Sequence, residues 1–260
     1  MVVDRPRYIA IASGKGGVGK TWLTVTLSHA LLRAGARVLV VDADIGLANV
    51  DVQLGLVPRF DVGSIISGRL TVAAAVTRHE PTGLDVLAGQ SGSGALADLT
   101  SESLELLLTK VRQETDAYDL VLLDLSAGND RVVRRFAAWS DLCLVVATDE
   151  PTSLTDAYAV LKLQTADQPT GDLQIVINQA QSKLQGQQTY ATLRRACAAF
   201  LHREPPLAAV IRQDPKVRDA IRHQTSLLLR HPNCSAAQDV EALAQTLLSL
   251  RQAPIHGSSD

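Results

Sequence analysis

The chain has 260 residues, 46% of them apolar and only 3% aromatic, and a formal net charge of −2. That length suits one large α/β domain with a core of Val, Ile, Leu and Ala, as in a buried parallel sheet covered by helices. The near-neutral balance argues against a global basic field for nucleic acid. Three scattered cysteines argue against a metal or disulfide framework, and the lack of an apolar run of ~18 residues or a leader-like start predicts a cytoplasmic protein.

In chain order, short apolar runs alternate with amphipathic segments. Residues 8–12 (YIAIA) read as a strand, 21–33 as a helix, and 38–41 and 84–87 as strands. A helix over 101–115, a strand over 120–123, a helix over 130–138 and a strand over 142–147 follow. The remainder reads as a helix over 153–164, a strand over 173–177, a helix over 187–201, a short strand over 208–211, and helices over 214–223 and 235–251. This alternation predicts an α/β fold, a doubly wound, mostly parallel sheet with helices on both faces. Residues 1–252 are expected to form one domain, with a flexible surface loop at 89–94 (GQSGSG) and a disordered tail at 253–260.

Between the first strand and the first helix stands GKGGVGKT (14–21), which matches G-x-x-x-x-G-K-[ST] through Gly14, Gly19, Lys20 and Thr21. The chemistry needs each residue type. Gly14, Gly16, Gly17 and Gly19, with Val18 between them, let backbone N–H groups fold around phosphate oxygens. Lys20 neutralises the β/γ charge, the Thr21 hydroxyl ligates Mg²⁺, and the helix aims its positive end at the anion. The same segment also satisfies G-x-G-x-x-G, and Asp42 lies 23 residues beyond Gly19, about where a ribose-binding acid sits in a dinucleotide fold. The Lys20–Thr21 pair decides for a nucleoside triphosphate, because a pyrophosphate turn needs neither a lysine nor a metal-binding hydroxyl.

Two aspartate sites fall at strand ends, where an open parallel sheet holds its ligand: Asp42 and Asp44 close VLVVDAD, and Asp124 closes LVLLD. Any one such residue often does no more than cap the next turn. Arriving together with a phosphate loop, they point to magnesium and water handling. Asp124 is assigned as the second-sphere magnesium partner, Asp42 a place near the metal shell, and Asp44 the orientation of the attacking water. Lys20 and Lys15 complete the expected catalytic set with Asp44. Helix or surface positions account for the six histidines.

These residues resemble the deviant-Walker ATPases of the MinD/ParA group, within the SIMIBI class of P-loop proteins. The distinguishing residue is Lys15, which ordinary phosphate loops lack. The resemblance implies that Lys15 reaches across an ATP-dependent homodimer to the partner's phosphates; a solvated loop lysine is the plain alternative. A trans-acting cation can raise phosphoryl-transfer rates roughly 10³–10⁵-fold. DADIGLANVDVQLGL (42–56) resembles the group's switch segment and DLSAG (124–128) its third-strand motif. Asn178 falls where the family contacts adenine, and 211–232, Arg212 included, is similar to the segment bordering the adenine pocket. Trp22 is counted among the nucleotide-binding positions; it replaces a small or polar residue and is expected on a helix face or near the dimer contact.

Two stretches, 46–56 and 150–162, resemble the flagellar-number regulators of the FlhG/FleN type, also called YlxH. In the second, Thr152 or Ser153 reads as the helix N-cap, with Asp156 in the first turn. The resemblance implies a switch between an ATP-bound dimer and an ADP or apo monomer that regulates flagellar number and placement. Its partners would be flagellar assembly proteins such as an FlhF-type GTPase or switch-complex components. MVVDRPR leaves no room for the Gln-containing extension that stimulates that GTPase, so direct activation is not expected. The last helix sets Val240, Leu243, Leu247 and Leu250 at helical spacing, and Asp239, Glu241 and Arg251 are not predominantly basic. Core packing is therefore expected of it, with peripheral membrane contact at the cell pole the weaker reading. Three alternatives stand beside this one: a MinD-like division-site regulator, an ATP-binding scaffold without turnover, and a ParA-like partition ATPase. The last would need a basic patch from Arg194, Arg195, Arg203, Arg212, Lys216, Arg218 and Arg222.

Overall fold

In a computed structural model of the chain, which describes residues 7–44, 48–89 and 100–252, each apolar run predicted as a strand pairs into one sheet. The strands are β1 (Tyr8–Ser13), β2 (Val38–Ala43), β3 (Thr77–His79), β4 (Leu84–Leu87), β5 (Leu120–Ala127), β6 (Leu142–Ala147), β7 (Asp172–Ala180) and β8 (Leu207–Arg212). Their spatial order is β3-β4-β2-β5-β1-β6-β7-β8, parallel throughout except for β3, which runs antiparallel to β4 at the edge. β3 was not anticipated. Three residues are too few to show alternation, and His79 within it is buried rather than helical or exposed.

Every long helix has its predicted counterpart: α1 (Lys20–Arg33), α5 (Ser101–Glu114), α6 (Arg131–Trp139), α7 (Pro151–Asp167), α8 (Lys183–Leu201), α9 (Pro215–Arg222) and α11 (Ser235–Gln252). Four short ones, α2 (Val50–Leu54), α3 (Val62–Ile66), α4 (Val72–Ala75) and α10 (Leu227–Arg230), span little more than one turn and carry no readable period. The start of α7 corrects the expectation that Thr152 or Ser153 caps it. The helix opens at Pro151, whose fixed φ suits a first position, and the Ser153 hydroxyl instead accepts the Thr148 N–H at 3.0 Å. α8 starts four residues earlier than expected, at a Ser182 cap that accepts the Gln185 N–H. The glycine-serine stretch from residue 90 and the tail at 253–260 lie outside the described residues, as does MVVDRP.

Strand alternation divides the core into two layers. Tyr8, Ala10 and Ala12 face the cluster covered by α5, α6, α7 and α8, while Ile9 and Ile11 face the cluster under α1 and α11. On α11, Val240, Leu243 and Leu247 are buried against α1 and β8, each contributing about 1.5–3 kcal/mol. Only Leu250 of the expected stripe is exposed. Among the described residues, no helix is long and apolar enough to cross a membrane. Because β1 lies between β5 and β6, the chain leaves the sheet in opposite directions on either side of it. That opens a crevice at the carboxyl ends, where the phosphate loop sits.

Candidate nucleotide site

The loop after β1 folds into a cradle that only glycine permits at its last turn. Gly19 has φ +93°, and a Cβ there would stand 2.5 Å from Asn178 Nδ2. Gly14 lies so close to α7 that a Cβ would overlap the Asp156 backbone. Two side chains from the end of β7 hold the cradle from behind. Asn178 Nδ2 donates to the Val18 carbonyl at 2.8 Å and Gln179 Nε2 to the Gly17 carbonyl at 3.2 Å. Consecutive strand residues normally point to opposite faces. Here the β7–β8 register shifts between Ile177 and Ala180, and Gln179 takes a left-handed φ of +58°, so both amides reach one loop. Pinning the carbonyls outward leaves the loop N–H groups for an anion.

Lys20 opens α1 and is buried; burial lowers its pKa, against the pull of Asp124 and Asp44. Asp42 and Asp124 stand side by side in register on β2 and β5. Burial pushes Asp124 up to about 6, opposed by the Thr21 and Thr24 hydroxyls and by Lys20. Its Oδ1 accepts from Thr24 Oγ1 at 2.9 Å, and its buried Oδ2 has no hydrogen-bond partner. Asp44 Oδ1 accepts the Ser126 hydroxyl at 2.8 Å. Asp42, expected near the metal shell, stands beside Asp124 and is held by backbone groups. Fully buried, it accepts the backbone N–H groups of Asp44, Asn49 and Val50, which anchors the end of β2 to the start of α2. Burial and Asp124 raise its pKa to about 7.

The unsatisfied Asp124 oxygen, the Thr21 hydroxyl and Asp44 form an all-oxygen donor set that fits Mg²⁺, a hard cation that keeps waters and phosphate oxygens as its other ligands. Among the described residues, no cluster of three or more His, Cys, Asp or Glu side chains would hold a metal without such help.

A cavity of about 760 Å³ opens over Gly16, Gly17, Lys20, Thr21, Asp44 and Ser126, walled by α2 and the end of α9. Beside it a pocket of about 260 Å³ is lined by Asn178, Gln179, Arg212, Gln213 and Val217. Trp22 borders both, and its buried Nε1 has no hydrogen-bond partner. Lys15 lies outside the linings of both cavities. Its Nζ pairs with Glu150 and donates to Thr152 Oγ1 at 2.9 Å, at the start of α7. Of the seven basic residues considered for a nucleic-acid patch, four are engaged internally, Arg195 among them through the Thr192 hydroxyl at 3.5 Å. Arg194 pairs with Glu204, Arg203 donates to the Gly171 carbonyl, and Arg212 pairs with Asp239.

Residues 9–227 match the family model of the CobQ/CobB/MinD/ParA nucleotide binding domain. The chain belongs to this family. It is a P-loop ATPase of the MinD/ParA type. It is 35% identical to the antiactivator FleN of Pseudomonas aeruginosa over 92% of this chain and 85% of that one. It is 29% identical to the flagellum site-determining protein YlxH of Helicobacter pylori, over 94% of this chain and 82% of the relative. Among solved structures, the cell division ATPase MinD of Pyrococcus furiosus superposes with a TM-score of 0.79 at 25% identity, covering 94% of this chain and 99% of that one.

Of the residues expected from sequence, Gly16, Gly17, Gly19, Lys20, Thr21, Trp22, Asp44, Asn178 and Arg212 line the two cavities, whereas Gly14, Lys15, Val18, Asp42 and Asp124 do not. Gln179, Ser126 and Glu150 are not among the expected site residues, and Asp239 is read from sequence only as a charge on the last helix. Ser126 lies inside DLSAG, so the motif pointed at it. The other three gave no signal of a place in the site, because their roles depend on a strand irregularity or on partners far away in sequence.

Proposed function

We propose that this chain is a dimerising molecular switch that hydrolyses ATP with Mg²⁺ and, through that cycle, regulates flagellar number and placement from the cytoplasm. The observation that carries the switch is Lys15: a lysine inside the phosphate loop whose ammonium is turned away from its own phosphate cavity and rests on Glu150 and Thr152. That grip is solvent-exposed, so releasing it costs about 0–1 kcal/mol. A second copy placed over the cavity would accept the released lysine on its ATP phosphates.

Phosphoryl transfer asks the protein for positioning and charge neutralisation. Lys20 supplies the cation within the chain. Thr21 and Asp124 would hold Mg²⁺, which neutralises charge on the phosphate oxygens. Asp44, oriented by Ser126, is the residue to align the attacking water. Asn178 and Arg212 line the pocket that takes the base. The flagellar branch is supported by similarity to FleN and YlxH over more than nine-tenths of the chain, and its partners would be flagellar assembly or regulatory proteins.

Lys15→Ala is expected to lose ATP-dependent dimerisation by light scattering and ATP turnover by phosphate release. Dimerisation and hydrolysis at parental levels would overturn the trans-acting lysine. For the cellular role, cells lacking the gene should show altered flagellar number or position at normal length. Normal flagella with minicells, filaments or DNA-free cells would move the role to division or partition.

A further inference from the structure

The strip 212–214 forms one wall of the smaller pocket, and the first two turns of α11 bracket it. Asp239, with only 4% of its side chain exposed, accepts four hydrogen bonds at 2.9 Å. Oδ2 receives the Arg212 backbone N–H and Nε; Oδ1 receives Arg212 Nη2 and Lys183 Nζ. Arg212 Nη2 also donates to the Ser235 carbonyl at 3.3 Å. Two residues on, Asp214 Oδ2 accepts the Ser235 N–H at 3.0 Å and hydroxyl at 2.8 Å, while its Oδ1 caps α9 through the Lys216 N–H.

This is more than helix packing. A guanidinium gripped by a planar carboxylate through Nε and Nη2 is fixed in plane and direction, and a lysine could not reproduce that fork. The bonds leave Nη1 and the guanidinium faces outside the pair, on a residue that lines the pocket. The carboxylate also keeps the Arg212 and Lys183 cations together.

We propose that Asp239 is a positioning residue for the nucleotide base: by locking Arg212 at the pocket wall, it sets base affinity and selectivity and makes the last helix part of the nucleotide site. This rests on the reading above that the pocket holds the base of ATP or ADP. An unlocked arginine would have to be immobilised at each binding event, a penalty of about 2- to 10-fold in affinity.

The test is calorimetric titration of the full chain with ADP, GDP and inorganic pyrophosphate. Asp239→Asn is expected to weaken ADP about 2- to 10-fold and narrow the ADP-to-GDP ratio, while pyrophosphate affinity stays at the parental value. Asp239→Glu should recover part of the loss, and in an Arg212→Ala background Asp239→Asn should add nothing further. Arg212→Lys keeps the cation without the fork and should reproduce the ADP loss, which keeps the proposal testable if the asparagine variant fails to fold. Parental ADP affinity in Asp239→Asn, or equal losses for ADP and pyrophosphate, would overturn it. A parental chain that binds ADP no more tightly than pyrophosphate would instead sink the base-pocket reading itself.

Discussion

Replacing Asn178 with Ala separates a loop-holding role from a base-contacting one. Asn178 is 3% exposed, and the Val18 residue whose carbonyl it binds at 2.8 Å is equally buried. Removing the amide leaves a buried carbonyl unsatisfied, which costs about 1–3 kcal/mol. If that energy keeps the loop in its anion-binding shape, affinity for any phosphate ligand falls roughly 5- to 150-fold, since each 1.4 kcal/mol is tenfold. The neighbouring Gln179 offers the contrast: its bond to the Gly17 carbonyl is longer, at 3.2 Å, and exposed. Gln179→Ala should therefore cost about 0.5 kcal/mol, or roughly twofold. Titration with ADP and with pyrophosphate reads both. A loop-holding Asn178 lowers the two affinities together, whereas a base contact alone lowers only ADP. Parental pyrophosphate affinity in Asn178→Ala, or a larger loss in Gln179→Ala, would refute the reasoning.

His29 is buried against Ser226, 2.6 Å from Nδ1 to Oγ, and burial, with Arg33 and His79 adding to it, lowers its pKa to about 4. The unfolded chain then binds its proton first as pH falls from 6.5 to 4, so folding stability should drop by up to about 3 kcal/mol across that window. His29→Asn should flatten that part of the urea-melt profile, and unchanged slopes would exclude His29 as the source. Gly186 lies in α8, where Ala would gain about 1 kcal/mol of helix propensity, yet a Cβ there would collide with Val210 and stand 2.9 Å from its Cγ2. Overpacking should win, so Gly186→Ala is expected to destabilise the fold by a net of up to about 2 kcal/mol, read as a lower melting midpoint. Trp22 borders both cavities, and the only other tryptophan, Trp139, packs on Tyr8 across the molecule. In a Trp139→Phe background the remaining fluorescence should change on adding ADP, and a flat titration would place Trp22 away from the nucleotide.

The sheet was legible because each central strand is a contiguous apolar run, and the phosphate loop because its chemistry needs adjacent residues: glycines for close approach, then Lys20 and Thr21 at the helix start. β3 and the short helices were not, since three to five residues carry no period, and α7 was misplaced because Pro151 begins a helix as readily as a cap does. What the sequence by itself determined is therefore the architecture, the phosphate cradle and the carboxylates at strand ends, all set by local pattern. The tertiary structure alone decided which distant groups complete the site. Glu150 lies 135 residues from the Lys15 it holds, Gln179 lies 162 from Gly17, and Asp239 lies 27 from Arg212. Parallel crossovers and a shifted strand register bring these groups together, and neither leaves a pattern within a short window of sequence.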